Sequence, residues 1–207
     1  MDNIKNNHNV FENLDESTKN QIKEIGLPYP LSIHISKSKK MDDSINEFLS
    51  KIKKDISELF GGSISYIISE LTDNIEQHSE YSNAFIFVNP KNEYTQLVIY
   101  DDGLSIPTVF EKNNINFSKD SEAIEMALNG KTTKKEDILR GFGLRTTQEI
   151  VKALNGKMQI ISKKGMLIVQ DSLVNLTDFE NGKLPGTLIH LKLKTPTKTL
   201  NIYPYLE

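Results

Sequence analysis

Cysteine is absent from the 207 residues, which excludes disulfides, thiol catalysis and cysteine-bound zinc. No apolar run approaches the ~18 residues of a membrane span. The N-terminal stretch MDNIKNNHNVFEN lacks the charged and then apolar pattern of a signal peptide. There is no dense basic block, and the formal net charge is −3, so neither nucleic acid nor a membrane surface is the expected partner. Nor is there an internal repeat. What these absences leave is a chain long enough for one domain with a hydrophobic core, plus an extension, in a cytoplasmic setting by default.

Residues 1–27 form a polar extension rich in Asn, Lys and Glu, with a short helical pattern from Phe11 to Ile25. Residues 28–195 carry the domain, and 196–207 are read as a tail. LSIHIS alternates as a strand does. MDDSINEFLSKIKKDISELF places Ile45, Phe48, Leu49, Ile52, Ile56 and Leu59 at helical spacing, with two aspartates in the first turn, and predicts a helix from Met41 to Phe60. Gly61 and Gly62 break it, and Ser63 is the expected cap of the next helix. NAFIFVN and QLVIYDDG read as strands joined by a turn, and Ser121–Leu128 as a short helix. LRTTQEIVKALNG reads as a helix stopped by Asn155 and Gly156, KMQIIS and MLIVQ as a hairpin, and TLIHLKL as a last strand. The polar segment NGKTTKKEDILRGFG between helices is long enough to be a lid. Helices early and strands late predict an α+β fold: a two-layer sandwich of a mostly antiparallel mixed sheet covered on one face by helices.

In ISELTDNIEQHSE, Glu70, Asn74 and His78 stand at i, i+4 and i+8, one above another on a helix. The apolar stripe Ile64, Ile67, Ile68, Leu71 and Ile75 runs beside them. A polar row that borders the core is where a ligand pocket would be walled. Two glycine signals are rejected. GKT at Gly130–Thr132 lacks the first glycine of a P-loop, which would fall at Glu125, and follows a helix. GFGLRT has Thr146 at the third glycine of a dinucleotide fingerprint and no preceding strand.

Four ordered elements remain: Glu70, Asn74 and His78; YDDGLSIP with Asp101, Gly103 and Ser105; RGFGLRTTQEIV with Gly141, Gly143 and Leu144; and PGTLIHL with Gly186 and Thr187. Together, over Leu31 to Leu193, they resemble the GHKL, or Bergerat-fold, ATPases. The likeness is greatest to anti-sigma-factor serine kinases and to the ATP-binding domains of sensor histidine kinases, which share the E-x-x-x-N-x-x-x-H helix.

The resemblance implies ATP and Mg²⁺ as cofactors. Asn74 matches the asparagine that ligates Mg²⁺, a role its neutral oxygen suits. Asp101 matches the aspartate that accepts the exocyclic amine of adenine. Gly103 would let backbone approach the base. Gly141 and Gly143 would open a helix whose free N–H groups suit phosphate. Thr187 matches a threonine of the adenine pocket, and Glu70 the catalytic acid that orients or deprotonates a water or hydroxyl. Lys131, Thr132, Thr133 and Arg140 fall in the expected lid as candidate phosphate clamps. The family pattern D-x-G-x-G has Ser105 at its second glycine here, which predicts altered loop geometry rather than lost binding.

Plainer readings stand beside these. Glu70 and Asn74 also fit a solvated helix flank, His78 a helix end packed on the sheet, DDG a turn, Gly141 and Gly143 a helix entry, and the lid cations a solvated loop. His34 and His190 are read as structural, and the sequon at Asn175 as meaningless without secretion.

The function implied by the resemblance is γ-phosphoryl transfer to a hydroxyl of a regulatory protein partner. A self-contained histidine kinase is disfavoured, because upstream histidines are only His8, in a polar tail, and His34, in a strand. The alternatives are an ATP-gated conformational switch that forms a homodimer and hydrolyses slowly, or a nucleotide-binding scaffold without chemistry.

Overall fold

The structure, a computed structural model, describes residues 25, 30–131, 143–171, 173–180 and 183–206. The elements run β1 (Leu31–Ser36), α1 (Met41–Ile52), α2 (Ser63–His78), β2 (Asn83–Pro90), β3 (Tyr94–Asp101), α3 (Ile106–Lys112), α4 (Asp120–Leu128), α5 (Gly143–Ala153), β4 (Lys157–Lys163), β5 (Gly165–Gln170), β6 (Leu173–Asp178) and β7 (Leu184–Lys194). The seven strands form one sheet in the order β1-β2-β3-β7-β4-β5-β6. Every pairing is antiparallel. The α+β class and the helix-on-sheet layering expected from the sequence are present; no parallel pair is seen among the described residues.

Period-2 alternation sorts the strands. Ile35, Ala84, Ile86, Val88, Leu97, Ile99, Ile189 and Leu191 face the helices and share one cluster with the buried stripes of α1 and α2. The opposite face carries a second cluster around Phe85, Phe87, Val98, Tyr100 and Leu188, on which Ile25 packs. His34 stacks on Phe85 at 4.7 Å and hydrogen-bonds to the Asn83 side chain at 2.8 Å, a structural role.

Three local expectations are corrected. The helix that begins at Met41 ends at Ile52 rather than Phe60. The polar run Lys53–Asp55 turns the chain, and Ser57 then caps a separate 3-10 turn, Glu58–Phe60, by accepting from the Leu59 N–H. The turn buries Phe60 and frees the Leu59 carbonyl to accept from the Leu200 N–H at 2.9 Å. Ser63 does not cap α2: Gly62 holds that position with φ 82°, and the Ser63 hydroxyl is buried without a partner among the described residues. Finally, α3 and β6 are formed in addition to the expected elements.

Helix α5 ends as expected. Asn155 takes a left-handed φ of 46°, and the Gly156 N–H returns to the Val151 carbonyl at 2.8 Å. Residues near the C-terminus are not loose: Leu200, Ile202 and Tyr205 pack on the main cluster.

Candidate functional site

The helix α2 shows why its polar row matters. Ile64, Ile67, Ile68, Leu71 and Ile75 are buried, as the periodicity predicts. Tyr66, Glu70, Asn74 and His78, one turn apart from each other, are all half-buried. The C-terminal end of this row, Asn74 and His78, reaches a cleft open to solvent, and Tyr66 and Glu70 lie outside its lining. Asn74, His78, Asp101, Lys131, Leu144 and Thr187 line this cleft, brought there by five different segments. Ile99, Ile106 and Phe110 supply apolar wall. The cleft is therefore an apolar slot with a few polar groups at fixed places.

Asp101 ends β3 on the helix side of the sheet and is 2% exposed. Its carboxylate accepts from the Gly103 N–H at 3.0 Å, with the Ser79 hydroxyl and the Thr187 N–H as further partners. Burial nonetheless dominates and pushes its pKa up to about 7. The neighbouring Asp102 points the other way and serves the fold: it accepts from the Ser82 and Asn83 N–H groups, each at 2.8 Å. Strand alternation thus splits the DDG motif into one cleft residue and one structural residue.

The backbone around Asp101 is tightly packed. A Cβ on Gly103 would lie 2.2 Å from the Ser79 carbonyl oxygen, and one on Gly186 would lie 1.9 Å from that of Asp101. Gly186 also has φ 74°. The missing side chain at Gly103 therefore makes room for the end of α2 rather than for a ligand. Ser162, buried at the end of β4, ties the site together. Its hydroxyl accepts from the Ile106 N–H at 2.9 Å and lies 2.9 Å from the Thr187 hydroxyl and 3.1 Å from the Gly186 carbonyl.

Ser105 has a definite task. It N-caps α3, accepting from the Thr108 N–H at 3.3 Å, with the two hydroxyls 2.7 Å apart. Pro107 follows in the first turn. The helix that Ser105 caps supplies Val109 and Phe110 to the wall of the cleft.

At the other end, Gly143 begins α5 directly beside α2. A Cβ there would lie 2.6 Å from Glu70 Oε2 and 3.3 Å from Asn74 Nδ2. Glu70 also bonds the Tyr66 hydroxyl, which in turn meets Thr146 of α5. Burial foremost, then the Glu70 charge, push the Tyr66 pKa up to about 12. The Asn74 Nδ2 atom is buried and has no hydrogen-bond partner among the described residues. A buried orphan donor is costly and suits a phosphate oxygen. Exchanging the two ends of the carboxamide would put Oδ1 there instead, the atom a Mg²⁺ ion would take. The donor set fits the group.

Thr132, Thr133, Arg140 and Gly141, in the segment expected to be a lid, lie outside the described residues. Ser79 and Ser162 were missed by the sequence reading. Ser79 follows His78 directly and could have been added to the row; Ser162 had no signal, being one serine at a strand end. The carboxylates Asp42, Asp73 and Glu76 gather within 4.8 Å, but they are exposed and do not line the cleft. Among the described residues no helix is long and apolar enough to cross a membrane. No protein-family model matches the chain, and no curated protein matches it in sequence.

Proposed function

We propose that this protein binds Mg²⁺–ATP in the cleft and transfers the γ-phosphoryl group to a hydroxyl of a regulatory partner protein in the cytoplasm, as a GHKL-type kinase. The observation that carries the reading is the pairing, within one slot, of a buried acceptor at Asp101 with an orphaned amide at Asn74 beside Glu70.

An adenine needs a flat apolar slot ending in an acceptor for its exocyclic amine. Ile99, Ile106 and Phe110 offer the walls and Asp101 the acceptor. The triphosphate needs donors and positive potential, which Asn74, Lys131 and the start of α5 offer. Bound Mg²⁺ would supply charge neutralisation on the phosphates, with Asn74 as its protein ligand. Phosphoryl transfer requires positioning and electrostatic stabilisation more than covalent help. Glu70, held by Tyr66, orients the acceptor hydroxyl and takes its proton at a carboxylate oxygen.

The test is calorimetric titration of ATP, with and without Mg²⁺, into wild type, Asp101→Asn and Asn74→Ala. Binding by wild type, its loss in Asp101→Asn and the loss of Mg²⁺ dependence in Asn74→Ala are expected. A wild-type protein that binds no nucleotide at millimolar concentration overturns the reading.

A further inference from the structure

The sheet has two edges, and they differ. β6 at one edge reads LVNLTD and is exposed over nearly its whole length. Leu173 is 68% exposed, Val174 43% and Leu176 40%. From Leu173 to Thr177 it carries no charge, no proline and no bulge, the usual devices that keep an edge from pairing. An uncharged, apolar, regular edge is a template for another strand.

The hydrogen-bonding direction of β6 can be read from its partner. Gln170 pairs with Leu173 across two residues, and the pair that closes a two-residue hairpin is the hydrogen-bonded kind. The Phe179 N–H donates to the Lys164 carbonyl at 2.8 Å, in phase with this. Odd-numbered residues therefore direct their backbone groups to β5, and Val174, Leu176 and Asp178 direct theirs outward. No described strand meets them. Side-chain direction follows the same parity. Asp178 bonds Ser121 of α4, so Val174, Leu176 and Asp178 point to the helix side.

We propose that β6 is a homodimer interface in which two copies pair antiparallel about a two-fold axis through Asn175. In that register Val174 of one protomer faces Leu176 of the other, and the reverse, while Leu173 faces Thr177. Both 174–176 pairs use the outward backbone groups, so the hydrogen bonds and the apolar pairs coincide. A shift by one residue sets residues of opposite parity against each other and separates the apolar pair. A shift that centres on Leu176 sets Val174 against Asp178, whose carboxylate already holds Ser121. A second copy is the occupant because in this register the strand complements itself with both apolar pairs matched and without like charges meeting. The two sheets become one, with both helix layers on the same side; α4 meets β6 at Asp178 and leaves Val174 and Leu176 exposed. Two six-residue strands bury less than the ~1,200 Å² of a stable interface, so the dimer is weak and forms only as concentration rises.

The experiment uses the full chain, whose lack of cysteine makes a single introduced thiol unambiguous. A two-fold axis on Asn175 brings the two residues 175 together as a non-hydrogen-bonded pair with Cα atoms ~4.5 Å apart, within disulfide reach of ~4.4–6.8 Å. Asn175→Cys therefore cross-links on mild oxidation, and Val174→Cys does not. Sedimentation velocity shows a concentration-dependent dimer for wild type. Val174→Lys and Leu176→Glu each weaken it at least ~10-fold, and the double variant, which sets lysine against glutamate in this register alone, restores it to within ~3-fold of wild type. All sites are exposed, and circular dichroism checks that the variants fold. A wild type that stays monomeric at several hundred micromolar, a dimer indifferent to Val174→Lys, or failure of the Asn175→Cys cross-link each overturns the proposal.

Discussion

Gly143 and Glu70 meet where α5 begins: a Cβ on the glycine would sit 2.6 Å from the Glu70 Oε2 atom. The contact is with the far end of a flexible side chain, so a methyl group there displaces the carboxylate rather than the helix. Gly143→Ala is expected to lower phosphoryl transfer by about 10–100-fold, since small misplacements of a reacting group are costly. Stability should hold or rise slightly, because alanine is the better helix residue. Steady-state kinetics and a thermal melt on the same sample check both parts.

Tyr66 holds Glu70 from one turn earlier and also meets Thr146 of α5. Tyr66→Phe removes the hydroxyl and leaves the ring. ATP affinity should stay within ~2-fold, while kcat falls by about 10-fold, because the Glu70 carboxylate loses a donor that positions it. Unchanged kcat with normal ATP binding contradicts the role given to Tyr66.

Asp101 has its pKa raised by burial to about 7. Between the ordinary carboxylate value and pH 7 the folded state keeps a proton that the unfolded state has lost. This group's contribution to stability is therefore complete below about pH 4 and is lost as pH rises to about 7. Asp101→Asn should stabilise the protein at pH 8 by ~2 kcal/mol, or about 4–8 °C in Tm, with the gain vanishing near pH 4. The same variant should bind no ATP. In wild type, ATP binding should weaken below pH 7, as the acceptor for the adenine amine becomes protonated.

His190 is shifted the opposite way, to about 4, by burial first and then by Lys157 and Lys192. The folded state stays neutral while the unfolded state takes up a proton, so stability is lost as pH falls from about 6.5 to about 4. This opposes the Asp101 contribution over much of the same range. His190→Gln should remove the loss and make the protein more stable at pH 5 than wild type by ~2 kcal/mol, with little change at pH 8. Chemical denaturation at both pH values tests the sign.

Much of the helix layer was legible because burial is periodic. The stripe from Ile64 to Ile75 and the half-buried row of Glu70, Asn74 and His78 follow from 3.6 residues per turn, whatever the neighbours. Alternation likewise marks β1, β4 and β5. β6 escaped because it is exposed on both faces and so shows no alternation of apolar and polar positions. α3 escaped because Ser105 was weighed as a missing glycine, although serine, proline and threonine over Ser105–Thr108 are a helix-start signal in their own right.

The sequence by itself determined the α+β class, most of the element types, the absence of thiol chemistry and the polar row on α2, since these depend on local spacing and side-chain chemistry. Only the tertiary structure decided that Asp101 faces the cleft and Asp102 does not, that Gly103 yields to the Ser79 carbonyl, and that Ser162 joins β4 to α3 and β7. Those outcomes depend on which strands become neighbours, and in the order β3-β7-β4 the residues that meet lie far apart along the chain. Contacts of that kind arise from packing and register, which no local pattern encodes.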